Sequence, residues 1–430
     1  MHKTILVASI TVAIAASASL AGAQSSATPE LFQAQSPRLA AAATANVPAS
    51  VNGMLRGKTA QWAAAVSVDR KLLSGAQREL TLSLPEGARM HMRLAKSYRT
   101  PAGDTVWSGA DRLQANGQLQ LGAQPPSTAL FVVRGERVTG QIVAASGEVY
   151  ELLTSENGAQ QYLVKRDPAS LEGADDTPAH SDLPAQPDRA LAARPAANAL
   201  LADTVIRVLQ VYTPEAVTEL GGQNSANDRA AFFIAQSNTA FANNVLPVRF
   251  ESAGVRFASQ GQATNVSDTL LSRIRVTNDG WYDAYSTTER NSTAADLVTL
   301  VVRDGLQTSG GALLCGQAAA IGANAANGFF VQNHTCSTFT FVHEAAHLFG
   351  ARHDNDPTTT PFSYGHGYVN TAGNFRTIMA VNSNPQPRIG YFSTIDQSYV
   401  SGGVSRPLGT STRDNERVMR ERAAAIAAFR

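Results

Sequence analysis

Cysteine is nearly absent from this sequence: 430 residues contain two, Cys315 and Cys336. One bridge is the most they can make. Excess charge of either sign is absent too, with 35 Lys and Arg against 34 Asp and Glu and a net charge of +1. A protein that binds nucleic acid through its field carries a basic domain or stripe, and none is found. Beyond residue 20 no apolar stretch approaches the ~20 residues that cross a bilayer. These absences leave an ordinary globular chain that selects its substrate in a local pocket. Its length points to two or more domains.

What is present begins with an export pattern. Met1-His2-Lys3 is a short positive start, Ile5 to Leu20 is apolar apart from small Ser and Thr residues, and Ala21-Gly22-Ala23 offers a small-residue cleavage site. Residues 1–23 are expected to be a signal peptide, which makes the protein secreted, with no membrane anchor. In an exported chain an isolated cysteine pair forms a disulfide, here Cys315–Cys336, with two buried thiols as the alternative.

The pattern then changes several times along the chain. Residues 24–50 are rich in Ala, Ser, Gln and Pro without periodicity and read as a flexible lead-in. Short runs from about Gly75 to Arg166 that alternate or cluster apolar residues, such as Thr81–Leu84, Leu130–Val133 and Gly140–Val143, predict a small, mostly antiparallel β domain. Together, residues 24–166 form a β-rich pro-region. Residues 167–202 carry Pro168, Pro178, Pro184, Pro187 and Pro195 and read as a linker open to proteolysis. Order resumes with a strand over 205–212, a helix capped by Asn227, a strand over 248–257, a helix over 267–285 and a buried strand over 296–302. A closing helix over 412–429 turns Val418, Ala425, Ile426 and Phe429 inward. Residues 203–430 are therefore a separate α+β domain.

The chemistry lies in His343-Glu344-Ala345-Ala346-His347-Leu348-Phe349-Gly350-Ala351-Arg352-His353-Asp354. Positions four apart share one face of a helix, so His343 and His347 can reach one metal ion, at the ~2.0–2.1 Å that zinc–nitrogen bonds require. Glu344 stands beside the metal, where a base takes a proton from water. Gly350 ends the helix with positive φ, and the turn brings in His353 as third ligand. Three histidines leave one position of a tetrahedral zinc open, as in catalytic sites. Asp354 is the alternative third ligand, one residue past the spacing. A glutamate from a later helix is not available, since none occurs between Ala345 and Asn415.

His343 to His353 resembles the H-E-x-x-H-x-x-G-x-x-H signature of the metzincin metallopeptidases. The resemblance implies a mixed twisted sheet plus helices, with an active-site helix and a Met-turn. Arg376-Thr377-Ile378-Met379-Ala380 resembles that turn, with Met379 as a floor under the zinc. Val381 stands where astacin- and serralysin-like members carry a tyrosine that reaches the metal, which argues against those branches. Within the superfamily the sequence is most similar to the peptidyl-Asp metalloendopeptidases, through the zinc motif with Asp354, Tyr364-Gly365-His366-Gly367-Tyr368, the Met-turn and Pro387-Arg388-Ile389-Gly390-Tyr391-Phe392. That similarity implies cleavage on the amino side of Asp, and less readily Glu. A buried carboxylate calls for a guanidinium, so Arg388 and then Arg376 are nominated to bind it, ahead of His366.

The expected reaction is peptide hydrolysis by zinc-activated water with Glu344 as general base, on protein or peptide substrates. The strand at 328–331 is expected to pair with an extended substrate. The pro-region lacks cysteine, so a cysteine cannot silence the zinc. An Asp or His, or steric cover, must make it an intramolecular inhibitor, with maturation near Ala202–Asp203. The competing reading is a catalytically silent zinc-binding interaction module, against which the retention of Glu344 speaks.

Overall fold

The computed structural model describes residues 28–39, 47–114, 119–120, 125–171, 183–186, 203–401 and 404–430. The expected signal peptide lies outside the described residues, as do Ala202 and most of the linker.

Among the described residues nine strands build the first sheet: β1 (Phe32–Ala34), β2 (Ala60–Val68), β3 (Glu79–Ser83), β4 (Arg89–Arg99), β5 (Thr105–Ala110), β6 (Thr128–Arg134), β7 (Arg137–Val143), β8 (Val149–Thr154) and β9 (Gln161–Arg166). The order is β1-β2-β9-β8-β7-β6-β5-β4-β3, and each neighbouring pair is antiparallel. Its two ends meet where Leu31 N–H donates to Thr81 O at 3.0 Å and Thr81 N–H to Pro29 O at 2.9 Å. Joining the ends removes the open edges that invite aggregation. Phe32, Trp62, Trp107, Phe131, Tyr150 and Leu163 fill the interior. The lead-in is more ordered than its composition suggests, for it supplies β1 and runs into the start of helix α1 (Ala49–Arg56). A three-residue strand is too short to show a period and is held by its pairing with β2.

The second sheet is the one that positions the site. It consists of β10 (Thr204–Tyr212), β11 (Val248–Phe257), β12 (Leu297–Val302), β13 (Gly316–Ala318) and β14 (Phe329–Asn333), in the order β11-β10-β12-β14-β13. All pairs are parallel except β13 with β14. Every residue of β12 and β14 is buried, as expected of strands covered on both faces. The helices are α2 (Pro214–Leu220), α3 (Gln223–Asn243), α4 (Ser267–Arg275), the short α5 (Asp283–Ser286) and α6 (Thr288–Ser292), α7 (Thr340–Phe349) and α8 (Asn415–Ile426).

Four expectations need correction. The helix expected over 267–285 is divided: Val276 turns extended, with φ of −73° and ψ of 139°, and ends it at Arg275, and Asn278 and Gly280, with φ of 68° and 81°, keep it from resuming at once. The helix assigned an Asn227 cap begins earlier, with Gly222 at its N-cap. The strand expected to receive substrate is β14, yet β12 and β13 already occupy both its edges; the outer strand is β13. In the closing helix Ala425 is exposed, and Met419 and Ala423 turn inward with Val418 and Ile426.

The two sheets share a core. In β6, Ala129 and Phe131 point into the closed sheet, whereas Leu130 and Val132 join Phe232, Phe233 and Ile234 of α3. This explains why β6 to β8 lack clean alternation: both faces are covered. One buried carboxylate marks the seam. Burial pushes the Glu151 carboxyl up, but the guanidiniums of Arg166 and Arg229 outweigh it and hold it far below the usual range.

Cys315 and Cys336 form a disulfide, with Cα atoms 5.5 Å apart and a separation of 21 in sequence. It ties the start of β13 to the turn before α7. Replacing both cysteines by Ser is expected to lower stability by about 3 kcal/mol through loop entropy in the unfolded chain. A urea melt would read this as a lower midpoint; an unchanged midpoint would show that the bridge carries no stability.

Candidate metal centre

The site is built on α7, all ten residues of which are buried. Phe341, Val342, Ala345, Leu348 and Phe349 fall on one side of the helix and enter the core, leaving His343, Glu344 and His347 together on the other. Its entry is strained. Phe339 takes φ of 63° at the N-cap, a conformation costing on the order of 1–2 kcal/mol for a side-chain-bearing residue. Its N–H donates to Gln236 Oε1 at 2.9 Å, which anchors the turn to α3. At the other end Gly350 has φ of 121°, and its N–H donates to His347 O at 2.9 Å. A Cβ there would stand 2.7 Å from the Phe362 ring, so both conformation and space call for glycine. The chain then runs beside residues 365–367. Arg352 N–H donates to Gly365 O at 2.7 Å and Gly367 N–H to Arg352 O at 2.9 Å, returning His353 to the helix.

The three imidazoles converge. His353 Nε2 lies 3.0 Å from His343 Nε2 and 3.1 Å from His347 Nε2. All three ligand atoms fall within 4.8 Å of one another, and among the described residues this is the sole cluster of its kind. The Nδ1–H of His343 donates to Ile378 O at 2.9 Å, and that of His347 to Ala351 O at 2.8 Å. These bonds set the tautomer, leaving the Nε2 lone pairs facing the common centre. Neutral nitrogens packed this closely repel one another unless a cation sits among them. This donor set fits zinc, which takes imidazole nitrogen and keeps a position open with three protein ligands.

Glu344 is 2% exposed and lies against Gly316 of the outer strand β13. A Cβ on Gly316 would come within 2.6 Å of Glu344 Cγ and Oε1. Asp354 faces away from the metal centre, and its carboxylate accepts from Val381 N–H at 2.8 Å and from Asn384 Nδ2 at 3.2 Å. It thereby ties the residue after His353 to the loop beyond Met379. Met379 is fully buried in a tight turn closed by Ala380 N–H to Thr377 O at 3.0 Å. The residue just before it, Ile378, supplies the carbonyl that orients His343.

Both nominated arginines flank this turn. Arg376 N–H donates to Pro387 O at 3.0 Å and Ile389 N–H to Arg376 O at 2.9 Å, so the two backbones run side by side. Arg376 donates from Nη1 to Ala380 O at 3.0 Å and from Nε to Gln386 O at 2.8 Å. Arg388 Nη2 lies 3.5 Å from the same carbonyl and 2.7 Å from Asn382 Oδ1. Its Nη1 donates to Thr338 O at 3.4 Å. His366 is engaged elsewhere, donating from Nε2 to Thr358 O at 2.9 Å, and burial pushes its pKa down. Sequence reasoning missed Gly316, Gln236 and Asn382. None of them lies in a motif; Gly316 and Gln236 act on residues distant in sequence, and Asn382 on Arg388 six residues away.

Comparisons agree with this geometry. Residues 202–393 match the metallopeptidase family M12. A peptidyl-Asp metalloendopeptidase of Xanthomonas campestris pv. campestris is 34% identical over 426 residues, covering 96% of each chain. One from Stenotrophomonas maltophilia strain K279a is 33% identical over 407 residues, covering 90% of this chain and 91% of that one. A second S. maltophilia enzyme of the same name, from strain R551-3, is 34% identical over 386 residues, covering 85% of this chain and 86% of that one. Both the match and the histidine triad make zinc the cofactor and peptides the substrates. The chain is thus a zinc metalloendopeptidase and belongs to the peptidyl-Asp metalloendopeptidase family.

Proposed function

We propose that the protein is exported as a proenzyme and that its C-terminal unit cuts extended peptides on the amino side of Asp, and less readily Glu. The observation that carries the catalytic part is the convergence of three imidazole nitrogens, with the carboxylate of Glu344 on the neighbouring helix position. In this reading residues 1–23 are the signal peptide, 24–166 the pro-region, 167–202 the linker and 203–430 the catalytic domain.

His343, His347 and His353 hold the zinc, and Met379 forms the floor of the family's Met-turn. Zinc, when bound, supplies a Lewis acid that polarises the scissile carbonyl and acidifies water. Glu344 accepts the proton of the attacking water and passes it to the leaving amine. Its burial supports that role, because a carboxylate shielded from bulk solvent exchanges its proton with the reactants. The outer strand β13 offers its outer edge to an extended peptide as an added strand. Arg388, backed by Arg376, receives the acidic side chain through charge-assisted bonds.

Latency follows from steric cover. Two observations support it. Leu171 is buried near Cys315, at the start of β13, and the chain is seen again at Leu183–Gln186. There Gln186 N–H donates to Pro361 O at 2.6 Å, and a Cβ on Gly322 would meet Leu183 Cδ1 at 2.9 Å. Gly322 in turn donates its N–H to His347 O at 2.7 Å, beside the end of the histidine helix.

The test is a digest of a denatured proteome with mature enzyme, with and without a chelator. Cleavage before Asp that vanishes on chelation and returns with zinc is the expected result. A spread of residues after the cut, with no acidic bias, would remove the specificity and leave the zinc chemistry.

A further inference from the structure

The N-terminal sheet grips the catalytic unit along one helix, away from the histidines. Helix α3 opens on Gly222, which has no side chain with which to cap it. Its cap comes from the other sheet: Glu156, in the β8–β9 turn, accepts from Asn224 N–H and Ser225 N–H, each at 2.9 Å. One turn on, Asp228 is held by Arg134 Nη1 at 2.9 Å and Arg137 Nε at 2.6 Å. Beside it, Arg229 donates to both oxygens of Glu151, at 3.2 and 3.1 Å. Further along, Gln236 Nε2 donates to Gln141 Oε1 at 3.2 Å. The same grip reaches the turn before α7. Ser337 Oγ donates to Glu151 and receives Gln141 Nε2 at 3.0 Å, and Arg166 Nη2 donates to Thr335 O at 3.1 Å.

Every one of these contacts joins a charged or amide group of the first sheet to a complementary group of the catalytic unit. Glu151, Arg166 and Arg229 are all buried, and Leu130 and Val132 add apolar contact to Phe232 and Phe233. Separating the two bodies would expose this shared core and strip Glu151 and Arg229 of each other. Removing one member of a buried ion pair is strongly unfavourable.

We propose that the α3 face and the Thr335–Ser337 turn form a docking surface for the chain's own N-terminal sheet, and that the two remain a non-covalent complex after the connecting segment is cut. Scission near Ala202–Asp203 then does not by itself free the catalytic unit; the sheet must also be unfolded or digested. The biological use of this hold rests on the proenzyme reading, but the hold itself does not.

The test uses the full chain carrying Glu344→Gln, with a recognition site for a sequence-specific protease inserted between Ala196 and Ala197. After complete cutting, gel filtration at about 1 µM and neutral pH should give one species containing both fragments, separating only in denaturant. Two separate species without denaturant would overturn the proposal. Glu151→Ala should raise the dissociation constant of the cut complex on the order of 100-fold. Glu156→Ala, which removes only the cap, should raise it about fivefold. Should Glu151→Ala fail to fold, Glu156→Ala and Asp228→Asn carry the measurement, and unchanged affinity in both would overturn the proposal. Association is read without turnover, so a failure of the peptidase reading shows in activity of the unmutated chain and leaves this result untouched.

Discussion

Replacing Glu344 by Gln is expected to leave zinc bound at one ion per chain and to lower kcat by about 10²–10⁴-fold, the range that a positioned general base contributes. The substitution preserves volume, which matters because Glu344 is 2% exposed and packs on Gly316 with no room to spare. What it removes is the ability to accept a proton. Neither of the bonds that orient His343 and His347 involves Glu344; they run to the carbonyls of Ile378 and Ala351. The metal ligands should therefore stay in place, and zinc content measured by elemental analysis should not change. KM should move little, since in the proposed binding mode the substrate is held by the strand edge and a side-chain pocket rather than by Glu344. Activity within tenfold of the unmutated enzyme would show that another group takes the proton. Loss of zinc along with activity would move the defect from catalysis to metal binding.

How much of the molecule is legible in its sequence depends on the range of the contacts. The histidine motif can be read in full, because its geometry is local: a helical spacing of four, a glycine with φ of 121° and a third histidine three residues on. The parallel-sheet strands are legible as apolar runs, and Val248–Phe257 coincides with its expected span. What escapes is set by distant neighbours. The outer position of β13 is a matter of sheet order, and a three-residue strand beginning with Gly316 carries no period. The Phe339 turn is held by Gln236, 103 residues away in sequence. The cap of α3 comes from Glu156, on a different sheet, so local capping signals alone place the helix start at Asn227. Asp354 is a conceivable ligand by spacing, and only its bonds to Val381 and Asn384 reveal what it does.

Of the two arginines, Arg388 is expected to carry the preference for an acidic residue, and burial decides between them. Arg376 is 2% exposed, and its guanidinium is committed to the carbonyls of Ala380 and Gln386, so it braces the turn around Met379. Arg388 is only part-buried, and its bonds to Thr338 O and Ala380 O are long, at 3.4 and 3.5 Å. Being part-buried, its guanidinium can be reached by a carboxylate, while Asn382 Oδ1 accepts from its Nη2 at 2.7 Å and fixes its position. Arg388→Ala should thus lower kcat/KM for a peptide with Asp after the cut by about 10²-fold, the scale of a desolvated charge-assisted pair. A matched peptide with Asn at that position should lose less than about fivefold, because it never used the charge. Arg388→Lys should recover part of the loss, keeping the charge but not the two-pronged geometry. Arg376→Ala should instead damage all substrates alike and lower the melting temperature, through the unpaired carbonyls it leaves behind. The ratio of kcat/KM between the Asp and Asn peptides separates the two roles. If that ratio falls in Arg376→Ala and holds in Arg388→Ala, the assignment is reversed: Arg376 reads the substrate, and Arg388 supports it.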